Sequence, residues 1–518
     1  MDRAAWQARR PPTGDTMVPA LWFDGRAYSA DWMKGEIRRI LAGLHDLQCK
    51  EGDTIAAMLR NSPEYVALVL ACRQAGLYLA SINWHFKALE ANHILTDSGA
   101  RALVVDADLL DPVREGIPAG VGVILVSRGA ARPSSPQAHH WADFGAGLPA
   151  MPARTGTSHG AIAYTSGTTG KPKGVRRIPG APEERAAMEQ RLQRVTDIVY
   201  GTGADVTAYL SAPIYHSAAM AYLSHFCNLG ATLVLEPRFD AQRTLALLAR
   251  HKVTHAYLVP TMYQRLLALP PEARTGHDLS ALRQVASTGS PCPVPLKQAM
   301  IAWFGPIITE AYGSSEAGYT TFADSANWLR HPGSAGSPLP DAEIRILDED
   351  GNALPAREIG LIYVRQRALP DFTYINRPEA RAAVERDGLI TLGDMGYLDE
   401  DGFLHICDRK ADMVISGGVN IYPAEIESVL QTMPGVADCA VFGIPDAEFG
   451  EGLAAAVQPS PGHSLDGAQV QAFLRERIAN YKVPRIVEIH AMLPREDTGK
   501  IFKRRLREPH WQDQARAI

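Results

Sequence analysis

Short apolar runs place the strongest constraint on how this chain folds. ALVVD (102–106), VGVILV (121–126), ATLVLE (231–236), HAYLVP (255–260) and RQVAST (283–288) each have the length and β-branched content of a buried strand. Helical patterns fall between many of them, such as PEERAAMEQRLQRVTDIVY (182–200). Strands that alternate with helices predict an α/β core with largely parallel sheets, because a parallel pair needs a long crossover and a helix is the usual one. The chain has 518 residues, more than one ordinary domain holds, so two or three units are expected.

After residue 340 the texture changes. AEIRILDEDGNALP and GYLDEDGFLHI each set an Asp-Gly turn between alternating residues, which predicts hairpins. Neither LDEDG continues with ligands at calcium-loop spacing, so both are read as turns. Past CDRKADMVISGG, short helices and strands return in PAEIESVLQTM, DCAVFGI, GLAAAV and VQAFLRERIANY, enough for a small α+β domain. The stretch 129–160, rich in Ala, Pro, Ser, Gly and His, is expected to be a long surface excursion.

Hydrophobic residues at 46% and charged residues at 21% describe a globular chain, and a net charge of −5 with well-mixed signs gives no footprint for nucleic acid. The N-terminal MDRAAWQARRPP lacks the apolar run of a signal peptide. The most apolar window, YVALVLACRQAGLYLASI (65–82), is broken by Arg73 and Gln74, so no integral membrane segment is expected. Six cysteines without C-x-x-C spacing predict reduced thiols in a cytoplasmic protein rather than disulfides or a zinc site.

The stretch YTSGTTGKPKGVRR (164–177) mixes glycines, hydroxyls and cations, a composition suited to a polyphosphate. It is not a Walker A loop. Lys171 is followed by Pro172, with no Ser or Thr to hold magnesium and no helix opening at the lysine. AIAY (161–164) reads as a strand before it, and a helix is delayed to about Pro182. Phosphate would then be held by a backbone nest and side chains, without a helix dipole.

Four further stretches carry chemistry. TEAYGSSEAG (309–318) sets Ser315 beside Glu316 after a strand, and TLGDMGYLDEDG (391–402) puts Asp394 between glycines. DRKADMVISGGVNIYPAEIE (408–427) pairs Arg409 with Gly417-Gly418, and LPREDTGKIFKRRLR (493–507) carries Lys500 after an Asp-Thr-Gly turn. With the glycine-rich loop, in this order, they resemble the adenylate-forming superfamily: acyl-CoA synthetases, luciferases and the adenylation domains of peptide synthetases. The resemblance spans NSPEYVALVLACRQAGLYLASINWH (61–85) to Lys500.

It implies a large N-terminal α/β domain of stacked sheets with helices and a small β-rich subdomain (1–408), a hinge (409–412), and a small mobile α+β C-terminal domain (413–518). It also implies ATP-dependent activation of a carboxylic acid to an acyl-AMP, then transfer to CoA, by an acid–thiol ligase. Thr165, Ser166, Gly167, Thr168, Thr169, Gly170 and Lys173 would hold the β- and γ-phosphates. Glu316 would hold Mg²⁺ and Ser315 would bond the α-phosphate; alone, the pair would read as a helix cap. Tyr312 would lie along the adenine, with Thr288, Gly289 and Ser290 shaping the base pocket. Asp394 would accept the ribose hydroxyls and Arg409 would reach ribose and phosphate. Lys500 would neutralise charge between the substrate carboxylate and the α-phosphate, and Gly417 and Gly418 would pass the pantetheine arm of CoA.

The resemblance places the acyl pocket around His216, which would be its gate, and the small residues Ala218, Ala219, Gly313 and Gly318 suggest room for a bulky or long apolar acyl group. The sequence there is Tyr215-His216-Ser217, where amino-acid activators carry an Asp, so a plain carboxylic acid is expected: fatty, aryl or steroid-type. A homodimer is compatible with the resemblance. Two positions depart from the family pattern: Ala411 stands where the hinge usually has Asp or Lys, and Ser315 where Thr is usual. The competing readings are a ligase that loads a carrier protein, a luciferase-like oxygenase, and a non-catalytic nucleotide-binding regulator.

Overall fold

The computed structural model of the protein describes residues 20–127, 138–149, 159–165, 172–417, 419–446, 448–495 and 501–511. Two large sheets form the body. The first runs Ser337–Pro338, Gly318–Ala323, Ile308–Ser314, Gln284–Ser287, His255–Tyr257, Thr207–Leu210, Thr232–Leu235, Leu21–Phe23 and Arg26–Tyr28. Neighbours from Ile308–Ser314 to Leu21–Phe23 are parallel, and the strands outside them are antiparallel. The second runs Phe372–Tyr374, Lys173–Arg177, Ala161–Thr165, Tyr78–Ser81, Thr54–Met58, Ala100–Asp106, Gly122–Val126 and Ala138–His140.

Alternation along the second sheet assigns its faces. Ile55, Ala57, Leu79, Ala102 and Val104 join the core shared with the first sheet. Ala56, Met58, Tyr78, Leu103 and Val105 turn the other way, onto Ala91, Ile94 and Leu95 of helix Ala88–Ser98. Helix Pro63–Gln74 belongs to the shared core and is buried on nearly every side, through Tyr65, Val66, Leu68, Leu70 and Cys72. Ser62 caps it by accepting from Tyr65 N–H, with Pro63 at its first position. A helix apolar all round is an interior element, which accounts for the most apolar window of the sequence. Among the described residues no helix is long and apolar enough to cross a membrane.

The Asp-Gly hairpins form as expected. They belong to a third, antiparallel sheet of Ala342–Leu347, Gly360–Gln366, Leu389–Leu398, Glu385–Arg386 and Leu404–Arg409. At the second turn Asp399 accepts from the N–H groups of Asp401 and Phe403, which is the work of a turn residue. A fourth sheet, Val419–Ile421, Val414–Ser416, Gly450–Pro459, Val436–Asp446 and Ile486–Ile489, forms the small C-terminal unit. Helices Pro423–Leu430 and Gly467–Arg475 cover one face of it through Ile426, Leu430, Val470 and Leu474.

The stretch 129–160 departs from expectation where it is described. Ala138–His140 pairs in parallel with Val123–Leu125 and extends the second sheet, and Trp141 and Phe144 behind it enter the main core. Arg39 donates to the carbonyls of both aromatics, so this segment is fastened to helix Ala30–Asp46. Two large aromatics outweigh a polar, proline-rich context, because each buries a large apolar area. The six cysteines are all free, and Cys72, Cys227, Cys292 and Cys439 are buried.

Candidate active site

The glycine-rich stretch is a hairpin. Ala161–Thr165 and Lys173–Arg177 pair antiparallel, with Thr165 opposite Lys173. Ser166, Gly167, Thr168, Thr169, Gly170 and Lys171, between them, lie outside the described residues. The helix does start late, with a short 3₁₀ turn at Pro182–Glu184 leading into Arg185–Tyr200. Helix Ala88–Ser98 holds both stems of the hairpin: Tyr164 donates its hydroxyl to Asp97 at 3.0 Å, and His93 Nε2 bonds the Pro172 carbonyl at 2.9 Å. Neither contact follows from the motif.

Both stems converge on Glu316, which is buried at the turn after strand Ile308–Ser314. Tyr374 donates its hydroxyl to Glu316 Oε1 at 3.0 Å, and Thr165 Oγ1 lies 3.5 Å from the same oxygen. Lys173 Nζ stands 5.2 Å over the Tyr374 ring, a cation–π distance. Arg177, which the sequence presents as one more loop cation, is a strut beneath this turn. Its guanidinium donates to the Ser315 carbonyl at 2.6 Å and to the Pro370 carbonyl at 3.1 Å. Burial pulls its pKa down to about 10, against the opposing pull of Glu316 and Asp371.

Ser315 donates its hydroxyl to Ser217 Oγ at 2.9 Å. Ser217 opens helix Ser217–Asn228, and His216 is its N-cap residue. Asn61 positions this approach: its amide donates to the Ala212 and Glu236 carbonyls at 2.9 and 3.1 Å and accepts from Ile214 N–H at 2.8 Å. Asn61 is the first residue of the NSPEY stretch, so a helix-start motif also sets the loop that presents His216. Burial pushes the His216 imidazole down to about 4, and its Nε2 has no partner among the described residues. It is a neutral ring at pH 7, tilted against Tyr215 at 4.2 Å between centroids.

A third cluster joins two sheets. Tyr312, on strand Ile308–Ser314, donates its hydroxyl to Asp394 Oδ2 at 2.6 Å. Asp394 lies on Leu389–Leu398 directly opposite Arg409, whose Nε donates to Asp394 Oδ1 at 3.2 Å. A carboxylate offers about four acceptor sites, so two remain for a diol. Thr288, at the end of strand Gln284–Ser287, is buried and bonded to the Tyr257 hydroxyl at 2.8 Å; Gly289 and Ser290 follow in the loop.

Gly313 and Gly318 do not leave the space their size suggests. A Cβ on Gly313 would lie 2.1 Å from the Gly318 carbonyl oxygen, and one on Gly318 would lie 2.7 Å from Leu369. Their small size is used to let the two strands of one hairpin approach at a bulge, between Tyr312 and Gly313. Ala218 is partly buried, and its carbonyl accepts from the Tyr200 hydroxyl at 3.1 Å.

At the junction after Arg409, Asp412 and Met413 donate their N–H groups to the Arg409 carbonyl, and Lys410 N–H bonds Gly393. Gly417 has φ +57° and directly follows strand Val414–Ser416, which pairs antiparallel with Val419–Ile421. A Cβ on Gly417 would meet the Phe449 ring at 2.9 Å. Gly418 and Lys500 lie outside the described residues; Arg495 bridges to Ile501 on either side of 496–500. Lys503 pairs with Glu427 at 2.8 Å inside the C-terminal unit. No group of three or more His, Cys, Asp or Glu side chains converges as a metal cage among the described residues.

Comparison with known proteins agrees with this geometry. The profile of the AMP-binding enzyme family matches residues 4–369, and that of the AMP-binding enzyme C-terminal domain matches residues 425–500. Feruloyl-CoA synthase of Amycolatopsis sp is 34% identical over 508 residues, 97% of this chain and 98% of its own. The fatty acid–[acyl-carrier-protein] ligase ScoC of Streptomyces coeruleorubidus is 31% identical, covering 99% of this chain and 97% of its own. ATP-bound MatB from Rhodopseudomonas palustris superposes with a TM-score of 0.83 at 30% identity over 98% of each chain. With the site and the fold in agreement along its length, the chain belongs to the AMP-binding enzyme family.

Proposed function

We propose that this enzyme is an acid–thiol ligase that converts a carboxylic acid, ATP and CoA into acyl-CoA, AMP and pyrophosphate. One observation carries the proposal: Ser315 touches Ser217, so the turn assigned to the nucleotide phosphates meets the helix start assigned to the acid. Oxide is a poor leaving group, so the carboxylate must be activated. Its oxygen attacks the α-phosphorus of ATP and pyrophosphate departs. A thiol then attacks the acyl carbon and AMP leaves.

The residues divide this work. Thr165, Ser166, Gly167, Thr168, Thr169, Gly170 and Lys173 orient the β- and γ-phosphates. Ser315 bonds the α-phosphate. Asp394 accepts the ribose hydroxyls, supported by Tyr312 and Arg409, while Thr288, Gly289 and Ser290 border the base. Glu316 would hold Mg²⁺ with phosphate oxygens completing the shell, as befits a hard cation given one protein carboxylate; when bound it neutralises phosphate charge. His216 borders the entry of the acid as a neutral ring. Lys500 offsets repulsion between the carboxylate and the α-phosphate.

The large unit (1–408) and the small unit (413–518) turn about residues 409–412 between half-reactions, and Gly417 and Gly418 then lie along the pantetheine arm. The free thiols suit a reducing compartment such as the cytoplasm. The acid is fatty, aryl or steroid-type, as the feruloyl and fatty-acid relatives suggest. ScoC supports a second reading, in which the acceptor thiol is the pantetheine of a carrier protein. The test is a panel of carboxylic acids with ATP and Mg²⁺, reading AMP and thioester with CoA or with a phosphopantetheinyl carrier as acceptor. AMP and acyl-CoA with at least one acid are expected. Thioester only on the carrier selects the second reading, and no AMP with any acid refutes both.

A further inference from the structure

Behind the residues assigned to the acid lies a layer of tyrosines that no motif announces. Tyr200 and Tyr222 are fully buried and meet edge to face, 5.2 Å between ring centroids at 90°. Tyr200 and Tyr319 meet in the same way at 5.7 Å and 88°, and Tyr222 lies 5.5 Å from Tyr257. Tyr319 directly follows Gly318 and is only partly buried, so it is the member of this layer nearest the residues assigned to the acid.

The Tyr222 hydroxyl has no partner among the described residues, but those of Tyr200 and Tyr319 are bonded in one possible order of protons. The Ala218 carbonyl only accepts, so Tyr200 gives it its single hydrogen. Tyr200 and Tyr319 are also bonded hydroxyl to hydroxyl, and the proton in that bond must therefore come from Tyr319. Thr288 in turn reaches Tyr319 and is bonded to Tyr257. Every hydroxyl from Tyr257 to Tyr200 thus has a partner. An alkyl chain pushing past Tyr319 would break these bonds and strand buried phenols, each costing the desolvation of an unpaired polar group. A flat aromatic group would instead stop against ring edges and faces, where aromatic pairs gain energy beyond area alone.

We infer that Tyr200 and Tyr319 close the far end of the acyl space and restrict the acid to a compact, planar aryl group. This rests on the acid activation proposed above and narrows its substrate class. The test measures kcat/KM for 4-hydroxycinnamate, hexanoate, dodecanoate and palmitate by AMP release, in the wild type, Tyr319→Ala and Tyr319→Leu. The wild type is expected to favour 4-hydroxycinnamate over palmitate by at least ~10-fold, the discrimination that one wrongly sized apolar group can give. Each variant should shift that ratio toward dodecanoate or palmitate by ~10-fold or more, with the KM for ATP changing less. Tyr319→Leu keeps an apolar filler, so one variant remains informative if Tyr319→Ala does not fold. Palmitate used as well as 4-hydroxycinnamate by the wild type, or an unchanged ratio in a folded variant, overturns the inference. AMP release with none of the four acids nor any other counts against the acid-activation proposal instead.

Discussion

Replacing His216 by Gln tests whether the acid entry is as dry as the structure makes it. Burial alone pushes this imidazole from an ordinary 6.5 down to about 4, with no charged group contributing. In the unfolded chain the ring protonates near its ordinary value. Between those two values the unfolded state takes up a proton that the folded state refuses, so stability falls as pH falls. Above pH 7 the ring contributes nothing to the pH dependence. Below it the wild type loses about 1.4 kcal/mol per pH unit from this group, or about 3 kcal/mol by pH 4. Gln does not titrate and, since Nε2 has no partner among the described residues, the change removes no hydrogen bond through that atom.

The assay is urea unfolding of both proteins in parallel at pH values from 7.5 to 4. The stability difference should be flat above pH 7 and then move toward the variant by about 3 kcal/mol at pH 4. His255, which burial also pushes down to about 4, is common to both proteins and cancels in the difference. Parallel curves would refute the reasoning. They would mean that the folded ring protonates at its ordinary value and that water reaches it freely.

Glu316→Gln keeps the shape that accepts the Tyr374 hydroxyl but removes the charge; AMP release should fall ~10²–10³-fold with little change in thermal midpoint, and unchanged turnover would make the carboxylate structural. Lys500→Ala should abolish acyl-AMP formation yet still convert supplied acyl-AMP and CoA to thioester, whereas Gly418→Leu should do the reverse. Equal loss of both half-reactions in both variants would contradict domain alternation, with Ala411 the first position to examine. His93→Phe removes one anchor of the hairpin stems, so the KM for ATP should rise ~10-fold, the worth of one buried hydrogen bond, with kcat less affected. Partial recovery in His93→Gln would separate the bond from ring packing, and an unmoved KM would show that the stems need no anchor.

Much of the scaffold was legible because its signals are local. Each apolar run quoted at the outset contains a strand, and both Asp-Gly turns close hairpins, since strand periodicity and turn chemistry act over a few residues. Contacts made across the fold left little trace. Nothing local marks Arg177 as a strut beneath Ser315, or His93 and Asp97 as anchors of hairpin stems 79 and 67 residues away. Composition misjudged 138–149, because Trp141 and Phe144 weigh more in packing than the small residues around them. Glycine misled in a different way. At Gly313 a missing side chain suggested room for a substrate, but the Gly318 backbone occupies it.

The unpaired thiols have a chemical consequence for an enzyme whose second substrate is itself a thiol. Disulfide exchange proceeds through the thiolate, so a protein sulfur reacts in proportion to how readily it ionises. Burial pushes the Cys227 thiol up to about 12 and Cys407 to about 11, and drives Cys72, Cys292 and Cys439 the same way. Cys49, only partly buried, is raised as well, by burial and then by Asp53. Burial thus holds each of these sulfurs more firmly in the unreactive thiol form than an exposed cysteine would be. The chain can therefore handle a freely reactive sulfur nucleophile while its own sulfurs are held back from exchange with it.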